Sequence, residues 1–395
     1  MNIYADYAAT TPMHPVAIQA MSEALSKVYG NPSSLHSLGQ EAKQALDQAR
    51  ETFAKGLNCD PREIYFTSGG SEADTQALTS GAAMGARKNK RHIISTTIEH
   101  HAILHTLDHL ESQGYAITRL APDQYGMVTP ERVEAAIRED TCLVTIMTAN
   151  NEIGTINPIA EIGAVCKGRG VLFHTDGVQA VGHVAVDVQA MGVDMLSLAA
   201  HKFGGPKGVG VLYARKGMLL KPLIYGGAQE RSRRSGTENL PAIISAAVAF
   251  RVALEEMEQA TAHLIPMRDR LIEGLLTIPH SVLNGHATKR LPGNVHVCFE
   301  AVEGESLLLL LDAKGIQASS GSACTSGDLD PSHVLLGIGR PHEVAHGSLR
   351  LTMGHTVTQE EVDYMVQATS DVVALLRSMS PVWTDLNKGV TPHVI

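Results

Sequence analysis

The 395-residue sequence has no Lys/Arg-rich block, and its 32 Lys and Arg are outnumbered by 41 Asp and Glu. A formal charge of -9 without a basic stripe excludes the electrostatic footprint that DNA or RNA requires. No apolar run approaches the ~20 residues needed to cross a bilayer, and Met1 to Thr10 has neither the basic start nor the apolar core of a secretory signal. These absences predict a cytoplasmic protein that acts on small molecules, with neither a nucleic-acid nor a membrane partner. Cysteine is scarce: Cys59, Cys142, Cys166, Cys298 and Cys324 are odd in number, scattered and without a CxxC pair. Neither a disulfide framework nor a metal site is expected, and at most one thiol needs a chemical role. Repeats and low-complexity blocks are also missing. The rest is an ordinary globular composition, 44% hydrophobic and 18% charged.

Strand-like and helix-like patterns alternate through most of the chain, which predicts an α/β fold with helices on the faces of a parallel or mixed sheet. Strands are expected at Ile64–Thr67, His92–Ser95, Cys142–Thr148, Val171–His174 and Met195–Leu198, with Gly210–Tyr213 returning as an edge or antiparallel strand. Helices are expected from Glu72 to about Gly85 and over Ala102–Gln113. A long helical pattern runs from Leu240 to about Leu276, with Pro241 suited to its first turn and Pro266 marking a break or kink. The domain boundary is set in this stretch: residues 13–255 form a large domain, and residues 1–12 with 256–395 a smaller α+β one. The smaller domain contains strand-like Asn294–Phe299 and helices at Ser306–Ala313 and Gln359–Met379. The tail after Met379 reads as surface coil.

Four local patterns carry chemistry. In Thr67-Ser68-Gly69-Gly70-Ser71-Glu72-Ala73 a strand meets a Gly-rich turn and a helix start, a geometry that cradles phosphate on free N–H groups or makes a plain capping box around Ser71. His201-Lys202-Phe203-Gly204-Gly205-Pro206 sets a lysine on a stiff turn at a strand end, either desolvated as a covalent nucleophile or simply solvated. Asp176, after an apolar strand, is a ligand for a cofactor ring nitrogen or an N-cap. Ser319 to Gly327 is all small residues except Cys324, which makes an exposed loop carrying one thiol, reactive or accidental. Phosphate cradle, carboxylate and lysine in this order point together to pyridoxal phosphate.

The chain resembles the NifS/IscS-like cysteine desulfurases. The resemblance runs through Tyr4 to Pro12, Gly30 to Ser34, Thr67 to Asp74, Glu99-His100-His101, Asn150 to Thr155, the Asp176 and Lys202 segments, Gly226 to Asn239, and Ser320 to Ser326. It implies the type I fold of pyridoxal-phosphate-dependent aminotransferases, a large mixed-sheet domain plus a smaller α+β domain, in a homodimer. It makes Lys202 the lysine that holds the cofactor covalently and takes the Cα proton, and Asp176 the partner of the pyridinium nitrogen. Gln179 and Asn151 bond the ring oxygen or substrate, and His100 stacks on the ring and handles the substrate thiol proton. Gly70, Ser71 and His201 hold the phosphate, joined by Thr237 from the neighbouring subunit. Asn31 and Arg350 bind substrate, Arg350 by clamping its carboxylate. The implied reaction converts L-cysteine to alanine, with the sulfur left as a persulfide on Cys324 for an acceptor such as an Fe–S scaffold protein. A selenocysteine lyase on the same fold is the alternative enzyme, and a non-catalytic scaffold for Fe–S assembly proteins the alternative from another class. One position departs from the family pattern: Ala199 stands three residues before the lysine, where a serine usually donates to the cofactor phosphate.

Overall fold

Strands whose side chains are apolar on both faces need helices on both faces, and the computed structural model, which describes residues 1–321 and 331–387, builds its main sheet in that way. Among the described residues seven strands lie side by side in the order Ile64–Thr67, Gly210–Ala214, Met195–Ala199, Leu172–Asp176, Thr141–Thr145, His92–Thr96 and Ala116–Leu120. From Met195–Ala199 to Ala116–Leu120 every pairing is parallel. Gly210–Ala214 is antiparallel to both of its neighbours. It is therefore an interior strand, and Ile64–Thr67 takes the edge. At the other edge Ala116–Leu120 is a strand that the sequence patterns did not single out; its first residue is exposed and the rest half-buried, so it lacks the apolar run of a central strand.

The helix Leu240–Leu276 begins with Pro241 in its first turn, where the missing N–H costs nothing, and continues without interruption through Pro266. The expected break does not occur there because packing holds both flanks. Leu240, Ile243, Ala246 and Phe250 join one apolar cluster with Phe53, Phe66, Phe173 and Phe203. Leu264, Leu271 and Leu275 join another with Val295, Leu307, Leu349 and Val362. The second cluster lies against a three-stranded antiparallel sheet of Ser281–Leu283, Asn294–Phe299 and Ser348–Thr352. The chain's start belongs here too, since Ile3–Tyr4 pairs in parallel with Ile316–Gln317. The tail begins with a helix, Pro381–Asn387, rather than coil, and its residues 388–395 lie outside the described residues. Its Trp383 ring lies under the Arg377 guanidinium, 4.1 Å from ring centroid to carbon, and that contact gives the last turn an apolar support.

The segment that follows the sheet is pinned by a buried ion pair. Arg50, on the helix Ser37–Leu57, meets Glu230 at 2.6 Å with both side chains almost fully buried. The same guanidinium donates to the Ile64 carbonyl, and the Glu230 carboxylate accepts the Phe66 N–H at 3.0 Å. Glu230, Arg231 and Ser232 all have left-handed backbone, with φ of 44°, 56° and 62°, a strained run that persists only where surroundings hold it. Glu230→Ala removes that hold and strands a buried cation. It is expected to cost about 3–5 kcal/mol in equilibrium denaturation, whereas breaking the exposed Arg62–Asp60 ion pair should change the stability far less.

Candidate active site

The carboxyl ends of the parallel strands deliver the polar residues to one side of the sheet, which is where open α/β sheets bind ligands. The strand Met195–Ala199 runs into a tight turn, Ala200–Lys202. Gly204 and Gly205 make the return possible: Gly204 has φ +81°, and a Cβ on Gly205 would lie 2.8 Å from Ala200. Lys202 Nζ donates to the carbonyls of Ala8 and Ala9 at 2.6 and 2.8 Å. Gln179 Nε2 donates to the same Ala8 carbonyl at 3.0 Å. Thr11 donates through both its N–H and its hydroxyl to the His201 carbonyl, so the N-terminal segment is laced to the lysine turn. His201 Nδ1 is 3.1 Å from the Thr10 hydroxyl, and burial pushes its imidazole down to about 4, so that it is neutral at pH 7.

Asp176 ends its strand buried, one oxygen accepting the Val178 N–H at 2.8 Å. Burial raises its carboxyl to about 6, against the lowering effect of that hydrogen bond and the Lys202 charge. Next to it lie acids that sequence reasoning did not single out. Glu99 accepts from Met147 N–H at 3.0 Å, and burial lifts it to about 8. Asp74 is raised by burial and by Asp176, and its Oδ1 is 3.7 Å from His174 Nε2. His174, neutral because burial lowers it to about 3, bridges Thr145 and Ser197 at 2.9 and 3.0 Å. These acids stood inside the quoted motif stretches; the available signal was a charged side chain set among apolar residues.

His100 caps the helix His101–Ser112, its Nδ1 accepting the Ala102 N–H at 3.1 Å. That bond assigns the ring proton to Nε2. Burial, then the Lys202 charge, push His100 down to about 4. It lines one open cavity of about 410 Å³ with Ser71, Thr75, His101 and His105.

The Gly-rich turn is capped by Gly69 and not by Ser71, which is exposed in the first turn of the helix Gly70–Ala86. The capping box expected around Ser71 is absent; Glu72 instead reaches back to the Ser68 N–H at 2.8 Å. The first N–H groups of such a helix have no intrahelical partner. A Cβ on Gly70 would lie 2.8 Å from Val178 and 3.6 Å from the Ala199 methyl, and one on Gly210 would lie 2.4 Å from the Gly69 backbone. These glycines let the turn, the Asp176 loop and the lysine strand meet.

Arg350, an arginine that by itself reads as a surface residue, is 2% exposed. Its guanidinium pairs with Asp6 at 2.8 Å and donates to the Asn151 carbonyl at 2.9 Å, while Nε has no partner among the described residues. Asn151 therefore meets Arg350 through its backbone. Two expected residues are not brought to Lys202 by any contact of a single protomer among the described residues. Asn31 is exposed, its side chain accepting from Ser33 N–H at 2.9 Å. Thr237 lines a separate cavity of about 180 Å³ with Thr67, Ser68 and Arg234. Cys324 lies outside the described residues. Of the other thiols, burial pushes Cys59 and Cys166 to about 12 and Cys142 and Cys298 to about 11, which makes them poor nucleophiles. No group of His, Cys, Asp and Glu among the described residues is arranged to hold a metal.

The model of the aminotransferase class-V family matches residues 3–365. The chain belongs to that family. It is 52% identical to the cysteine desulfurase IscS of Methanosarcina thermophila, over 96% of this chain and 94% of the relative. A solved NifS-like protein superposes with a TM-score of 0.89 at 37% identity, covering 95% of this chain and all of that one. The structure of SspA in complex with cysteine superposes with a TM-score of 0.79 at 35% identity, over 90% of this chain and all of that one. The recognition of the NifS/IscS-like group and of its fold from the motifs is therefore borne out.

Enzymes of this family depend on pyridoxal phosphate, and the residues present fit it. The first N–H groups of the helix Gly70–Ala86 have no intrahelical partner, and a Cβ on Gly69 would meet nothing within 4 Å, which leaves room for a phosphate. Asp176 is a buried carboxylate with a second oxygen to offer a pyridinium N–H, and Lys202 is within electrostatic reach of it.

Two predictions concern this site. Glu99 has a folded-state affinity for its proton raised from 4.5 to about 8, so the stability it contributes is complete below pH 4.5 and is lost as pH rises through about 8. In the cofactor-free protein, Glu99→Gln should remove that loss, and the stability difference between variant and wild type should grow in denaturation curves between pH 5 and 8. Ala199→Ser places a hydroxyl beside the Gly70 turn. Ser197 cannot already serve there, because His174 engages its hydroxyl. In a Lys202→Ala background, where retention is non-covalent, the serine should slow cofactor loss on dialysis by up to about tenfold.

Proposed function

We propose that this chain is a pyridoxal-phosphate-dependent L-cysteine desulfurase that passes sulfur through Cys324. The observation that carries the reading is the juxtaposition of Lys202 with a buried Asp176 at adjacent strand ends, the Gly70 helix start beside them. Bound there, the cofactor supplies an electron sink for the Cα–H bond of cysteine. Lys202 Nζ, on the Ala8 and Ala9 carbonyls, is the group that holds the cofactor and takes the Cα proton. Asp176 keeps a proton on the ring nitrogen, and the phosphate rests on Gly70, Ser71 and His201. Gln179 and Asn151 orient ring or substrate. Arg350, already aligned by Asp6, offers its remaining N–H groups to the substrate carboxylate. His100 is neutral with its proton on Nε2, so it begins as a donor to the substrate sulfur. The Cys324 thiolate attacks that sulfur: an S–S bond forms, and the C–S bond breaks with its electron pair going to Cβ. Cβ takes up the proton that the substrate thiol gives up, Lys202 returns the proton to Cα, and the carbon skeleton leaves as alanine.

The reading extends to the assembly. Thr237, which no described contact brings to Lys202 within one protomer, reaches the phosphate in the site of a second copy in a homodimer, Asn31 binds substrate, and an Fe–S scaffold is the acceptor class. Among the described residues no helix is long and apolar enough to cross a membrane, and a cytoplasmic location goes with this assignment. The division into residues 13–255 and residues 1–12 with 256–395 remains our proposed domain boundary, set inside the helix Leu240–Leu276.

The test is single-turnover chemistry with L-cysteine. The wild type should form alanine and a persulfide on Cys324, and Cys324→Ser should bind cysteine without accumulating persulfide. Lys202→Ala should lose turnover and the visible band of lysine-bound cofactor. Persulfide on Cys59, Cys142, Cys166 or Cys298, or turnover of selenocysteine alone, would overturn the assignment.

A further inference from the structure

Glu152 is buried at 3% exposure, and the residues around its carboxylate come from both sides of the segment that carries Cys324. On the upstream side, Ser319 exchanges two backbone hydrogen bonds with Arg350, at 2.6 and 3.3 Å. Ser320 O accepts from the Ser348 hydroxyl at 3.2 Å. Gly321 then lies directly on Glu152: a Cβ there would be 2.9 Å from Oε2 and 3.2 Å from His296 Nε2, and its φ of +95° suits glycine alone. On the downstream side, the Ser332 hydroxyl donates to the same Oε2 in a short hydrogen bond while accepting the Val334 N–H to cap the helix His333–Gly337. One carboxylate oxygen thus stands where a side chain on the last residue before 322–330 would be and is bonded to the second residue after it.

Glu152 is itself rigidly placed. Its N–H donates to Asn150 Oδ1 at 2.9 Å and its carbonyl accepts from Asn294 at 3.0 Å. Its neighbour Asn151 is the residue whose carbonyl Arg350 holds. The backbone that positions the substrate clamp therefore also positions the carboxylate.

We propose that Glu152 is a positioning residue for sulfur transfer, fixing both flanks of the Cys324 segment on one buried carboxylate. The inference rests on the reading that Cys324 receives the sulfur. The carboxylate touches neither cofactor nor substrate in this role. Its effect falls on the transfer to Cys324 and not on the binding of cysteine.

The experiment compares holoenzymes in single turnover with L-cysteine: wild type, Glu152→Ala, Glu152→Gln and Ser332→Ala. Two rates are followed, the spectral change as cysteine joins the cofactor and the appearance of persulfide on Cys324. Glu152→Ala and Ser332→Ala should keep the first rate and lower the second by about tenfold, the effect of losing one hydrogen bond to a charged group. Glu152→Gln, whose amide oxygen still accepts from Ser332, should recover the second rate to within about threefold. Ser332→Ala leaves the buried carboxylate in place and tests the same bond should Glu152→Ala fold poorly. Unchanged persulfide rates in both Glu152→Ala and Ser332→Ala overturn the proposal. So does a parallel fall in both rates, which marks a general structural role, and so does a glutamine variant as slow as alanine. If the wild type makes alanine while Cys324 stays unlabelled, the reading of Cys324 has failed and this inference fails with it, a result visible before any variant is made.

Discussion

The Lys202 amine needs acceptors that do not neutralise it, and the chain supplies two main-chain carbonyls from its first ten residues. Much else in the site depends on that arrangement. For the Ala8 and Ala9 carbonyls to be in place, the N-terminal segment must be held from both sides. On one side Thr11 binds the His201 carbonyl. On the other, Ala8 N–H donates to the Thr352 hydroxyl at 2.9 Å and Asp6 pairs with Arg350. The segment is a strap between the lysine turn and the arginine strand. The separation of the two cationic groups is thereby set by the short hydrogen-bonded turn from Asp6 to Thr10 rather than by the packing of distant helices.

The second constraint is charge in a dry interior. The sheet's carboxyl ends gather Asp74, Glu99 and Asp176, and burial favours the protonated form of each. The surrounding histidines, His100, His174 and His201, are pushed the other way and carry no charge at neutral pH. Asp176, lifted only to about 6 and within reach of the Lys202 charge, is ionised at neutral pH, while Glu99 and the three histidines around it are neutral. Each donor aimed at a bound ligand acts there in a low-dielectric setting.

The sequence made the α/β alternation and nearly every central strand legible, because a strand buried on both faces shows an unbroken apolar run. Ala116–Leu120 escaped because an edge strand need not be apolar, whereas the helix Leu240–Leu276 was legible over its full length, and Pro266, read as a break or kink, does not end it because burial on either side outweighs a local breaker. The motifs identified the family. Geometry added what spacing cannot carry: that Gly69 rather than Ser71 caps the cradle, that Arg350 is buried on Asp6, and that Glu99, Asp74 and Glu152 stand behind the named residues. Such supporting groups have no spacing signature, since they meet only after strands distant in sequence become neighbours.

The strap also fixes an order of assembly. Asp6 and Arg350 are 344 residues apart, and Ala8 and Lys202 are 194 apart. A chain emerging from the ribosome folds from its N-terminal part as it appears. The lysine turn is available as soon as the main sheet forms. Asp6 and Ala8, although synthesised first, find their second set of partners only when the strand Ser348–Thr352 has been made. Until then the opening residues are held by the lysine turn and by the pairing of Ile3–Tyr4 with Ile316–Gln317. The acceptors of the reactive amine are set in register late in synthesis, after every strand of the large sheet is complete.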